Sequence, residues 1–130
     1  MGGVPTGGIT PDEILWRLIE NSWYHNGMIQ EVAFVGEVSL VRASLVTEKE
    51  IDSVKNGFFV KYGIAQLKCA DIINQQICQL RITPDPNWPL SAHVLIIRNS
   101  GGKHLNPKHL EVAQLANLAN ARPLVRHPKA

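Results

Sequence analysis

Apolar positions in this chain fall into short stretches separated by Gly, Pro and Asn. Ile14, Leu15, Leu18 and Ile19 recur at helical spacing. Before them stand Thr10, a cap residue, Pro11, which suits a first helical turn, and Asp12 and Glu13, which suit its positive end. The pattern predicts a helix over 11–21. Trp16, Ile19 and Trp23, three and four apart, extend it into an apolar stripe. Residues 30–46 are β-branched and apolar and predict one or two strands broken at Gly36. Within them Val38, Leu40 and the stem of Arg42 alternate with Ser39 and Val41. Thr47, with Glu50 three residues on, forms a capping box for a short helix over 48–56, stopped at Asn56-Gly57.

Residues 58–68 mix aromatic and β-branched side chains around Gly63 and predict a strand. Residues 70–76 predict a short helix with Ile72 and Ile73 inward. Residues 77–83 alternate as a half-buried strand does. Three prolines within 84–89 exclude regular structure there. The near-continuous apolar run 93–98 predicts a central strand buried on both faces. Asn99 to Gly102 read as a turn. Asn106 and Pro107 open a last helix over 107–120, with Leu110, Ala113 and Leu118 inward, and 123–125 adds a short edge strand. This order predicts an α+β fold, with a mixed or mostly antiparallel sheet of about four to five strands and helices packed on one side. The division expected is a flexible N-terminus over 1–9, a single domain over 10–125 and a basic tail over 126–130.

Composition narrows the class. A chain of 130 residues, 45% hydrophobic and 18% charged, has enough apolar material for one packed domain. Disorder needs less hydrophobicity and more net charge than the +2 found here. No apolar run approaches the ~20 residues that span a membrane, and residues 1–9 lack the basic start and apolar stretch of a secretory signal. Cys69 and Cys78, nine apart, fit neither a CxxC metal pair nor a disulfide framework. The expected compartment is the cytoplasm.

Several segments carry a resemblance. Phe34 precedes Val38-Ser39-Leu40 and Arg42-Ala43-Ser44. Gly63-Ile64-Ala65-Gln66-Leu67 leads to Ala70-Asp71-Ile72, then Thr83-Pro84-Asp85-Pro86 and Ala92-His93-Val94, before a late Ala/Leu helix. Over about residues 15–120 this resembles a loose group of small bacterial hypothetical proteins that share a GvAxLxAxDI, DP and xHAxI pattern. Leu90-Ser91 stands where that group has Asn-Pro, and Val94 where it often has Ala. The resemblance implies a fold and a set of positions, not an activity.

Candidate chemistry centres on His93, Asp85 and Asp71, with Arg17 and Ser39 as additions. A carboxylate that orients an imidazole makes a base near neutral pH. Asp85 in its proline loop and His93 at a strand start would share one sheet end if their strands are antiparallel neighbours. The bland alternatives are that Asp85 caps its own turn and His93 only closes a strand. No GxSxG, HExxH or HxE…PCxxC motif supports an enzyme. His104 and His109 straddle a helix start without a clustered carboxylate, so no metal site is expected, and no cofactor.

Charge is unevenly laid out. From residue 98 onward there are six basic residues and one acid, an excess of five, against a deficit of three before it. Lys103, Lys108, Arg122 and Arg126 in this segment could meet phosphates or an acidic partner. Trp88 in the proline loop and Trp23 are candidate interface aromatics. The reading preferred is an accessory binding domain for a protein partner, a homodimer included, with nucleic acid the second partner class and no membrane. The alternative is a small hydrolase- or transferase-like enzyme using a His-Asp pair.

Overall fold

The computed structural model describes residues 9–73, 80–84, 93–100 and 103–130, with backbone alone for 80–84, 97–100 and 103–105. Six strands form one sheet in which every pairing is antiparallel. They are β1 (Ile14–Ile19), β4 (Val38–Arg42), β5 (Gly63–Lys68), β6 (Leu80–Pro84), β7 (His93–Ser100) and β8 (Lys103–Leu105). The order is β5-β1-β4-β7-β6, with β8 paired to the end of β7. A separate hairpin joins β2 (Tyr24–His25) to β3 (Met28–Ile29). Asn26 and Gly27 between them have φ of 52° and 77°, the left-handed pair that a two-residue hairpin demands. The helices are α1 (Glu48–Ser53), α2 (Cys69–Ile73) and α3 (His109–Asn120). The class is α+β.

The segment expected as a first helix is a strand. Its cap signals serve one turn: the Glu13 N–H donates to Thr10 O at 3.1 Å, and the Thr10 N–H to the Glu13 carboxylate at 3.3 Å. Glu13 then pairs with Arg42 on β4. Next come six residues apolar everywhere but Arg17, as in a central strand with side chains covered on both faces. Such a run fits a buried helix as well as a strand, so periodicity alone misassigns it. The Trp16–Ile19–Trp23 stripe dissolves with the helix, because neighbours in a strand point to opposite faces.

Period two sorts the core. Leu15, Ile19, Val38, Leu40, Ala65, Leu67, Val94 and Ile96 meet Val112, Leu115, Ala116 and Ala119 of α3 on one face. Trp16, Leu18, Val41 and Ile64 meet Ile51 of α1 and Phe59 on the other. The capping box of α1 forms as expected: the Glu50 N–H donates to Thr47 Oγ1 at 3.2 Å and the Thr47 N–H to the Glu50 carboxylate at 3.0 Å. α3 starts at His109, two residues later than its sequence signals. The Glu111 carboxylate accepts the Lys108 N–H at 2.8 Å there. Leu110, expected inward, is exposed.

The C-terminal segment is laid along the outer edge of β5. The Ile64 N–H donates to Arg126 O at 2.9 Å, the Val125 N–H to Ile64 O at 2.8 Å, and the Lys129 N–H to Lys61 O at 2.8 Å. An edge strand would otherwise present unpaired backbone groups.

Candidate functional site

β1 treats its two neighbours differently. Against β5 it is in register over all six residues, from Ile14↔Lys68 to Ile19↔Gly63. Against β4 the ladder holds only Leu15↔Arg42 and Trp16↔Val41. Beyond Trp16 the two strands part, and their facing backbone groups lose each other as partners. A buried polar group without a partner is destabilising by about 1–3 kcal/mol, so something must fill the parting.

Arg17 fills it. Its Nη1 donates to Ser39 O of β4 at 2.9 Å. Its Nε and Nη2 both donate to Ala33 O, at 3.0 and 2.7 Å. Ala33 is presented by a 3-10 turn over Glu31–Phe34, and Gly36, with φ of 81°, bends the chain from that turn into β4. The guanidinium carbon lies 5.3 Å from the centre of the Trp23 ring and 5.9 Å from that of Phe34. Arg17 is 9% exposed. Burial lowers its pKa to about 10, against a smaller opposite pull from Tyr62, so it is a cation at neutral pH. Its hydrogen-bond partners among the described residues are neutral carbonyls.

The parting opens into a cleft of about 190 Å³. Trp16, Leu18 and Val41 line it from the sheet, and Phe59, Tyr62 and Trp23 from the flanking segments. Phe59 and Tyr62 meet edge to face at 5.0 Å. Phe58, 61% exposed, continues this aromatic surface outward, with ring centres 5.0 Å from Phe59 and 5.9 Å from Tyr62. Burial, and then the charge of Glu20, raise the Tyr62 pKa, while Arg17 acts the other way. Its phenol therefore keeps its proton at neutral pH and offers a neutral donor.

Three of the candidate catalytic residues meet in this cleft: Arg17, Ser39 and His93. His93 stands opposite Val41 and Ser39 opposite Leu95, which puts His93 and Ser39 diagonally on one sheet face. His93 is 2% exposed. Trp23, expected as an interface aromatic, lines the same cleft. Asp71 does not line it; it sits on α2, 3.5 Å from Arg122 Nη2. Asp85 and Trp88 lie outside the described residues, so the Asp85–His93 pairing is not among the described contacts. The described part of β6 ends with Pro84 opposite Val94.

The basic candidates scatter. Arg126 is an internal tie: Nη1 and Nη2 reach the two Asp52 oxygens at 3.0 and 2.9 Å, Nε donates to Tyr62 O at 2.8 Å, and Nη2 to Phe59 O at 3.0 Å. Arg122 pairs with Asp71. Lys108 is exposed at the start of α3, and Lys103 opens β8. Among the described residues no group of three or more His, Cys, Asp or Glu is placed to hold a metal ion. No described helix is long and apolar enough to cross a membrane.

Sequence reasoning missed Trp16, Phe59 and Tyr62 as site residues. The signal was present in the aromatic cluster of residues 58–62, next to Gly63, but reading it as the start of a strand buried it in the sheet. No family model, curated protein or solved structure matches this chain.

Proposed function

We propose that this chain is a binding domain, not a catalyst, and that its cleft between β1 and β4 receives a ring-bearing side chain of a partner protein. The size and lining of the cleft carry this reading. Its volume of about 190 Å³ is below the roughly 300–1,000 Å³ of pockets for whole small molecules. It is close to the roughly 150 Å³ that accommodates a benzene ring. Aromatic walls and an arginine are the groups that dominate interface anchor sites. Exposed Phe58, against Phe59 and Tyr62, extends the aromatic surface outward, which suits a protein surface following its anchor. The basic segment supports a nucleic-acid partner less, because Arg122 and Arg126 are both tied to acids of this chain.

Benzyl alcohol, a neutral ring, tests the reading. In amide-resolved NMR it should shift Trp16, Leu18, Ser39, Val41 and Tyr62 selectively, and Ser39→Phe, which fills the space, should abolish the shifts. Shifts spread evenly over the surface, or none at saturation, would reject it.

One observation favours a second reading, a small hydrolase or transferase: His93 and Ser39 share the cleft and one sheet face. It is weakened by Asp71, one of the two carboxylates expected beside His93, which is engaged at Arg122. Turnover of p-nitrophenyl acetate that disappears in both His93→Ala and Ser39→Ala would favour it over the binding reading.

A further inference from the structure

Among the described residues the cleft holds a cation with no anion. A buried guanidinium ordinarily lies against a carboxylate, because burial of an isolated charge is unfavourable by several kcal/mol. Arg17 is 9% exposed, yet its bonds go to the neutral carbonyls of Ala33 and Ser39. A guanidinium carries five N–H groups. Three are used, one each on Nε, Nη1 and Nη2, so one hydrogen on each of Nη1 and Nη2 has no acceptor among the described residues. The Trp23 and Phe34 rings both lie within cation–π range of the group. Glu20, whose charge is felt at Tyr62, is not among its partners. The group is thus held and charged, with two N–H groups unused by the described residues, at the wall of a space that fits one ring.

From this we infer that the natural occupant carries a carboxylate beside its ring, and that this is the C-terminal residue of a partner chain, with its side chain against Trp16, Phe59 and Tyr62 and its α-carboxylate at Arg17. The inference rests on the ring-binding reading above and deepens it. A chain terminus fits better than an internal acid. In a C-terminal aromatic residue the ring and the carboxylate are attached to adjacent carbons, so a cleft this short can hold both. The exposed Phe58, packed on Phe59 and Tyr62, then lies where the preceding residues of that chain leave.

The test compares four probes on the intact chain by the same NMR shifts and by calorimetry: N-acetyl-phenylalanine, its C-terminal amide, free phenylalanine, and Ala-Ala-Phe with a free carboxyl. A hydrogen bond to a charged group predicts that the acetylated acid binds about tenfold or more tightly than the amide. Ala-Ala-Phe should bind at least as well as N-acetyl-phenylalanine. Arg17→Gln keeps donors for the two carbonyls without the charge. It should reduce the acid to the affinity of the amide while the amide still binds. Equal binding of acid and amide to the unaltered chain overturns the carboxylate inference and leaves the ring reading standing. Tighter binding of free phenylalanine than of Ala-Ala-Phe overturns the chain-terminus source. Failure of all four, amide included, overturns the ring reading as well. If acetate alone moves the Arg17 Nε–H as far as the acetylated acid does, Arg17 binds an adventitious anion only and the inference falls.

Discussion

The two edges of β1 are built by different means. Along β5 the backbone does the work: six registered pairs, apolar side chains above and below, and a C-terminal segment that closes the far edge. Along β4 the backbone ladder ends after two pairs, and one arginine side chain takes over. The first edge has no room for anything else. The second leaves a ring-sized space, an unbalanced charge and aromatic walls. A ladder is satisfied within the fold, whereas a side chain that replaces a ladder brings charge and unused donors with it. That difference locates a candidate site without reference to any motif.

The largest effect that tests this contrast is a pair of identical truncations. Leu67 on β5 is fully buried under α3, so Leu67→Ala should destabilise by about 3 kcal/mol, the transfer of the side chain plus the cavity it leaves. Leu18 borders the cleft and is only half-buried. Much of its surface already faces open space, so Leu18→Ala should cost about 1 kcal/mol. Urea denaturation of the two variants checks the ratio, and equal losses would mean that the cleft is closed in solution.

A second, smaller effect probes how the β5 edge is sealed. Arg126 ties the C-terminal segment to Asp52 and to the carbonyls of Phe59 and Tyr62. Arg126→Ala should cost about 2 kcal/mol. It should also speed hydrogen exchange at the Ile64, Val125 and Lys129 amides, which bond between β5 or its approach and that segment. Gly63→Ala should loosen the same seam by another route, since a Cβ there would stand 2.6 Å from Pro128. Exchange at β4 amides should not respond to either change. If it does, the two edges of β1 are one cooperative unit and the contrast drawn between them fails.

The same contrast explains what could be read from the chain beforehand. The α+β class, α1 with its capping box, β5, β7 and the body of α3 were legible, because each is specified by local signals: a cap, a period, a stop. β1 was not. Its surroundings on both faces come from residues far along the chain, and a run apolar at five positions of six looks the same in a helix as in a strand. With β1 misassigned, Arg17 and Trp16 landed on a helix, and the parting from β4 had no place to exist. Arg17, Ser39 and His93 were still chosen on residue type. What united them was the register of three strands, which no spacing in the sequence encodes.

The smallest expected effect sets Cys69, beside the closed edge, against Arg17, at the open one, with opposite signs in alkali. Cys69 begins α2 just past β5 and is 2% exposed, and burial, then Glu13, push its thiol above the ordinary 9.0. The folded chain therefore holds that proton to higher pH than the unfolded chain does. The stability it contributes is complete below about pH 9 and is lost as pH rises through the raised value. Tyr62, raised from 10.0, acts in the same sense slightly higher. Arg17 does the reverse. Its folded pKa of about 10 lies below the ordinary arginine value, so between the two the unfolded chain binds more protons and stability rises with pH. Urea midpoints taken from about pH 7 to about pH 10 should therefore fall, and Cys69→Ala should flatten the early part of that fall. Arg17→Gln should leave the fall in place and remove only the opposing rise above about pH 10. If Cys69→Ala keeps the full early slope, the thiol on the closed edge is not its source. If Arg17→Gln changes nothing in strong alkali, the guanidinium is better solvated than its place between the strands implies.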